Sequence, residues 1–217
     1  CLPSGSIFFA LRGERFDGNA FAAKALEGGC AYAVVDDDNL PADPRFIRVE
    51  NALTTLQQLA AFHRKHLGIP ILQITGTNGK TSVTYMMKKI LEKAGYKVGL
   101  IGTIQNMIGD EIIAAHNTTP NAYELNSLFA LMKAKGCTYV IMEVSSHALD
   151  QSRVYRLNFE AAMFTNLTQD HLDYHITMEN YLAAKKKLFY MCKTAVINSD
   201  DPYAERLCEG LDCKITT

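Results

Sequence analysis

Apolar positions along this chain switch repeatedly between short runs and helical spacing. The runs Ile7–Leu11, Ala31–Val35 and Phe46–Val49 predict strands, with a helix over Asn19–Glu27 between the first two. From Ala52 to Leu67, Leu53, Leu56, Leu59, Ala60 and His63 fall near one face of a helix, with Asn51 as N-cap and Gly68 as terminator. The alternation then resumes. Strand Ile71–Thr75 leads through glycines into helix Lys80–Ala94, which Gly95 ends, and strand Val98–Ile101 follows. A hairpin is expected around Ile108–Asp110, then helix Ala122–Lys135 and strand Tyr139–Glu143. Strand Ala161–Thr165, helix Thr177–Phe189 and strand Ala195–Asn198 complete the pattern. Strands alternating with helices predict an α/β fold with a mostly parallel sheet covered on both faces. Two domains are expected, a small one over residues 1–68 and a larger one over 69–217.

Composition narrows the function. The chain of 217 residues is 48% hydrophobic and 21% charged, with a net charge of −1. That balance gives no electrostatic case for nucleic acid or a membrane surface. No apolar run approaches the roughly 18 residues of a membrane helix. Cysteines at 1, 30, 137, 192, 208 and 213 form no C-x-x-C pair, which predicts reduced thiols in a cytoplasmic protein rather than disulfides or zinc. The opening at Cys1 and the strand-like "CKITT" at the end predict a piece cut from a longer protein.

The stretch "ITGTNGKTSVTYMM" (74–87) carries the first candidate chemistry. A buried strand, a turn with Gly76 and Gly79, and a helix beginning at Lys80 form the setting in which backbone N–H groups bind phosphate. Lys80 would reach the outer phosphates and Thr81 would hold Mg²⁺. The usual loop has a further glycine where this chain has Ile74, and an ordinary turn with a surface lysine gives the same spacing. A second feature adds weight. The strand "TYVIMEVSS" (138–146) ends its apolar run in Glu143. A carboxylate at a strand's carboxyl end stands where it can complete Mg²⁺ coordination beside Thr81.

"TNLTQDHLDYH" (165–175) gathers Asn166, Asp170, His171, Asp173 and His175 after another strand end. His171 and His175 are four apart, but the H-E-x-x-H glutamate is missing, so a metal or substrate loop is favoured over zinc. The following helix has an apolar stripe of Met178, Tyr181, Leu182, Leu188 and Phe189, and Lys185 falls on it while Lys186 and Lys187 point away. A lysine there must be paired, neutralised or able to snorkel. From the residues alone, snorkelling is the expected outcome. Burial would instead favour the neutral amine, which can take up CO₂ as a carbamate, an oxygen ligand suited to Mg²⁺.

"GTNGKTS", "NTTP" (117–120), "MEVSSHALDQSRV" (142–154), "FTNLTQDHLDYH" (164–175) and "MENYLAAKKKLF" (178–189) occur in one order. Together they resemble the Mur ligases of bacterial cell-wall synthesis, and within them the MurE-type branch. "GERFDGNAFAAKALEGG" (13–29) is similar to that family's N-terminal domain. The family's own loop is G-T-x-G-K-[ST], without a glycine at the Ile74 position. The resemblance implies a UDP-substrate domain over 1–68 and an incomplete P-loop-type ATPase domain over 69–217. It implies ATP-dependent addition of a diamino acid, meso-diaminopimelate or L-lysine, to UDP-MurNAc-L-Ala-D-Glu through an acyl phosphate. Gly76, Thr77, Asn78, Gly79, Lys80, Thr81 and Ser82 would bind ATP. Thr81 and Glu143 would serve one Mg²⁺, and His171 with carbamylated Lys185 the second. Asn117, Thr118, Thr119, Ser145 and Arg153 would bind the muramoyl dipeptide, and Glu14, Arg15 and Phe16 the uracil end. The enzyme is expected to be a monomer. The family's C-terminal domain lies outside these residues, so this chain alone is expected to be inactive. Two other readings compete: a folylpolyglutamate or cyanophycin synthetase type of ligase, and a non-catalytic module that binds a nucleotide sugar.

Overall fold

The computed structural model describes residues 3–13, 16–64 and 68–217. It divides into two compact units, 1–60 and 61–217. In the first, β1 (Ile7–Phe9) is followed by the short antiparallel pair β2 (Arg12–Gly13) and β3 (Phe16–Asp17). A 3-10 turn over Gly18–Phe21 leads into α1 (Ala22–Glu27), then β4 (Tyr32–Val35), β5 (Phe46–Arg48) and α2 (Ala52–Arg64). The sheet is parallel in the order β1-β4-β5. Its core is built from small residues, with Ala10, Ala22, Ala25, Leu26, Cys30, Ala33 and Val35 packed together.

Buried polar groups fasten this unit. Asn19 donates from Nδ2 to Asp17 Oδ1 and to Asp36 Oδ1, both at 2.8 Å, and accepts the Asp36 N–H at 3.1 Å. Asp36 Oδ2 in turn accepts the Ala52 N–H at 3.0 Å and anchors the start of α2. Asn51 caps that helix as expected, through Thr54 N at 2.8 Å. The expected stripe holds only in part. Ala60 is buried as expected and Leu56 is half-buried, but Leu53, Leu59 and His63 are exposed, and Ala52 and Gln57 are buried in their place.

The second unit contains β6 (Ile71–Thr75), α3 (Lys80–Lys93), β7 (Val98–Ile101), β8 (Gln105–Ile108) and β9 (Glu111–Ala114). It continues with α4 (Ala122–Ala134), β10 (Tyr139–Glu143), α5 (Ser146–Asp150), β11 (Phe159–Phe164), α6 (Leu172–His175), α7 (Met178–Lys186), β12 (Cys192–Ile197), α8 (Ala204–Cys208) and β13 (Lys214–Thr216). The strand order is β13-β12-β11-β6-β10-β7-β8-β9. All pairs are parallel from β13 to β7, and the β8–β9 hairpin closes that edge antiparallel. Gly109, at φ +59°, makes the two-residue turn of the hairpin.

The two faces of the sheet differ. Ile74, Val98 and Ile141 pack under Val83, Met87 and Leu91 of α3. The opposite face carries the larger core, which includes Leu125, Phe129 and Met132 of α4, Leu149 of α5, and Tyr181 and Leu182 of α7. The helix expected over Thr177–Phe189 is shorter. Thr177 caps it, accepting the Asn180 N–H at 3.1 Å; the helix ends at Lys186, and Phe189 falls in a separate 3-10 turn over Phe189–Met191. The five-residue helix α5 was not expected. It forms because Ser145 accepts the Ala148 N–H at 3.2 Å, a cap on a segment too short to show periodicity. Because β6, β7, β10 and β11 run parallel, their carboxyl ends share one edge of the sheet, and the chain leaves β6 toward β7 on one side and later returns on the other as β11.

Candidate active site

Four strand ends build the site. After β6, Gly76 has φ +151° and Gly79 has φ +86°. At Gly76 there is no room for a side chain, since a Cβ would stand 1.9 Å from Thr165 Oγ1. Gly79 is the N-cap of α3, and no side chain caps that helix, so its first-turn N–H groups are available to an anion. Lys80 Nζ donates to the carbonyls of Gly76 and Thr77, both at 2.9 Å. Burial lowers its pKa from the usual lysine value, against the opposing charges of Glu143 and Asp170.

The loop is held from β11. Thr77 N donates to Asn166 O at 2.8 Å, and Asn78 N to Asn166 Oδ1 at 2.9 Å. Thr77 Oγ1 accepts the Thr168 N–H at 3.0 Å, and Thr165 Oγ1 donates to Asn78 O at 2.7 Å. The segment 165–168 is therefore a brace for the phosphate loop. The sequence had pointed to a metal or substrate loop over residues 165–175, and bracing by its first residues was not foreseen.

Glu143 ends β10, fully buried. Its Oε2 accepts the Thr81 hydroxyl at 3.0 Å across 62 residues of sequence. This places the expected acid and hydroxyl together. Thr103, after β7, donates to the same carboxylate from its N–H at 3.2 Å and its hydroxyl at 2.9 Å. The motif reading missed Thr103, although its place just past a strand's carboxyl end is the signal that picked out Glu143. The cluster of carboxylate and hydroxyl oxygens is a hard donor set that fits Mg²⁺.

Thr118 lies 3.1 Å from Thr103, oxygen to oxygen. Thr119 is buried, donates to Glu143 O at 3.1 Å, and accepts the Ser145 N–H at 3.1 Å. Arg153 Nη1 donates to Thr119 O at 2.9 Å, while its Nε and Nη2 reach Gln151 Oε1 at 2.9 and 2.6 Å. The guanidinium is thus oriented beside the Thr119–Ser145 backbone. Asn117 and Ser82 are exposed, and among the described residues no side-chain hydrogen bond joins either to this cluster. Phe16 is exposed on β3, and Glu14 and Arg15 lie outside the described residues.

Lys185 corrects the expectation of snorkelling. It is 1% exposed, and its Nζ lies 4.6 Å from the centroid of the Tyr181 ring. No carboxylate among the described residues lies at ion-pair distance. Burial, helped by the charge of Lys80, lowers its pKa to about 7. Lys186 and Lys187 do point away, to Arg206 O at 2.8 Å and Asp150 Oδ1 at 2.7 Å. Tyr181 is the hub of this side. Its hydroxyl is 3.3 Å from Thr77 Oγ1, His175 stacks on it at 5.1 Å, and the His171 ring stands edge-on at 6.1 Å. His171 and Lys185 therefore converge on one ring. His175 turns inward to Ser146 Oγ at 2.9 Å, and burial lowers its pKa. His147, also missed, packs 5.0 Å from His171.

A mostly parallel sheet, a glycine turn into an uncapped helix, and a buried acid at the neighbouring strand end define an α/β fold of the phosphate-loop class. Residues 74–216 match the Mur ligase middle domain, and the chain belongs to the Mur ligase family. It is 46% identical over 216 residues to the UDP-N-acetylmuramoyl-L-alanyl-D-glutamate–2,6-diaminopimelate ligase of Caldanaerobacter subterraneus subsp. tengcongensis, covering 97% of this chain and 45% of that protein. The enzyme of the same name from Clostridium tetani is 44% identical over 225 residues, covering 100% and 46%. This chain thus spans less than half the length of these curated relatives. A solved structure of a ligase of that name superimposes with a TM-score of 0.84 at 28% identity, over 99% of this chain and 45% of the other. The MurF ligase from Thermotoga maritima in complex with ADP shares the fold, with a TM-score of 0.68 at 21% identity over 98% and 47%.

Proposed function

We propose that the protein carrying this chain is a cytoplasmic, ATP-dependent ligase that adds a diamino acid to UDP-MurNAc-L-Ala-D-Glu in peptidoglycan synthesis. The names of its relatives favour diaminopimelate over lysine. The observation that carries the reading is the meeting of Thr81 with the buried Glu143 carboxylate at the edge where the glycine loop opens. In the reaction, a carboxylate oxygen of the D-glutamyl residue attacks the γ-phosphorus of ATP, and ADP leaves. The free amine of the diamino acid then attacks the resulting acyl phosphate, loses a proton, and expels inorganic phosphate as the amide forms. Both steps are governed by positioning and by neutralising phosphate charge.

Gly76, Thr77, Asn78, Gly79 and Ser82 would surround the nucleotide phosphates, and Lys80 would swing from its own loop carbonyls to the β- and γ-phosphates. Thr81 and Glu143 would hold one Mg²⁺, and His171 with a carbamylated Lys185 a second. Bound there, the cations would screen the phosphate oxygens. Asn117, Thr118, Thr119, Ser145 and Arg153 would seat the muramoyl dipeptide, with Arg153 on a carboxylate. Glu14, Arg15 and Phe16 are proposed for the uracil end. Phosphate release by the full-length protein tests the reading, with ATP, Mg²⁺, the UDP-linked dipeptide, and diaminopimelate or lysine supplied separately. Release that requires the dipeptide nucleotide and one diamino acid is expected. Turnover only with a folate or another acceptor would assign the chain to a different ligase of the superfamily.

A further inference from the structure

Glu143 is fully buried, and a buried carboxylate needs hydrogen-bond donors on its oxygens. Thr81 is one donor, but that hydroxyl is the group assigned above to a cation. Among the described residues, the other donors on the side chain both belong to Thr103, its N–H on Oε1 at 3.2 Å and its hydroxyl on Oε2 at 2.9 Å. Thr103 Oγ1 also lies 3.1 Å from Thr118 Oγ1. A hydroxyl has one proton to give. A carboxylate is the stronger acceptor, so the proton goes to Glu143 in preference to the Thr118 oxygen, which the Thr103 hydroxyl also faces. Gly102 completes the cradle, since a Cβ there would stand 2.5 Å from Glu143 Oε1.

We propose that Thr103 is a positioning residue for metal–nucleotide binding, which fixes the Glu143 carboxylate through its N–H and its hydroxyl. The inference rests on the reading of Thr81 and Glu143 as a Mg²⁺–nucleotide site. It adds a residue that touches neither phosphate nor cation and acts through the acid.

The test is calorimetric titration of full-length protein with ADP over a series of Mg²⁺ concentrations, without acceptor or diamino acid. Thr103→Val removes the hydroxyl and keeps the N–H. It should raise the Mg²⁺ concentration needed for half-maximal nucleotide binding by about tenfold, the scale of one hydrogen bond to a charged group. Binding of ADP without Mg²⁺ should stay near the parent value, while the thermal midpoint of the metal-free protein should fall because the buried Glu143 loses a donor. Thr103→Ser should restore the Mg²⁺ dependence to within about twofold, which a role in packing would not predict. Should Thr103→Val fail to fold, Gly102→Ala, which displaces Oε1 while leaving Thr103 in place, should shift the Mg²⁺ requirement in the same direction. Glu143→Gln separates the two ideas. A shift with Glu143→Gln but none with Thr103→Val or Gly102→Ala overturns the role of Thr103 alone. No shift with Glu143→Gln overturns the metal–nucleotide site and the inference with it.

Discussion

The ammonium nitrogen of Lys185 sits 4.6 Å from the centroid of the Tyr181 ring, in a site where the lysine is 1% exposed. The ring offers its electron-rich face, but burial outweighs that attraction and brings the lysine pKa from 10.5 to about 7. At neutral pH a large share of the amine is therefore free, the form that accepts CO₂.

This shift makes stability depend on pH. Between pH about 7 and 10.5 the unfolded chain keeps a proton on Lys185 that the folded chain has released. Folding should thus gain stability as pH rises through that window, and the burial cost should be fully present below about 7. Lys185→Met should flatten this part of the profile. Urea midpoints of parent and variant at pH 7 and pH 9 measure it, and equal slopes would contradict the assignment. In the full-length protein, Lys185→Ala should abolish ligation, with partial rescue by a short carboxylic acid that replaces the carbamate oxygens.

Gly76 is fixed by two constraints, φ of +151° and a Cβ position 1.9 Å from Thr165 Oγ1. Gly76→Ala should cost about 2–4 kcal/mol, combining backbone strain with overpacking against the brace. Denaturant unfolding gives the value, and a loss under about 0.5 kcal/mol would mean that the brace yields freely.

Thr77 joins the phosphate loop to two other elements, accepting from Thr168 N at 3.0 Å and lying 3.3 Å from Tyr181 OH. Thr77→Val leaves buried partners unpaired and should destabilise by about 1–3 kcal/mol. Thr77→Ser keeps the oxygen and should recover most of that loss. Thermal melts of the two variants decide between the lost hydrogen bonds and lost packing.

Arg153 spends three of its nitrogens on Thr119 O and Gln151 Oε1, which sets the plane of the guanidinium. Arg153→Lys keeps the charge but loses the planar fork. It should raise KM for the dipeptide nucleotide by about tenfold while leaving nucleotide affinity unchanged. A change confined to kcat would place Arg153 elsewhere than on a ground-state carboxylate.

What the sequence by itself determined is local. Hydrophobic period and turn residues marked most of the larger elements, and the loop from Gly76 to Thr81 and the acid at Glu143 could be found because each sits at a fixed offset from a strand end. Where the signal was a stripe on a helix, it was ambiguous. The leucines of α2 and the lysine of α7 lie at helical spacing, but only packing decided that Leu53 and Leu59 face outward and Lys185 inward. The tertiary structure also decided every contact that depends on strand order. Thr103 meets Glu143 across 40 residues, Thr81 meets it across 62, and Thr77 reaches Tyr181 across 104. Placing β6 between β10 and β11, with β7 beyond β10, brings those strand ends to one edge. No local pattern encodes that order, because it follows from the burial of both sheet faces at once.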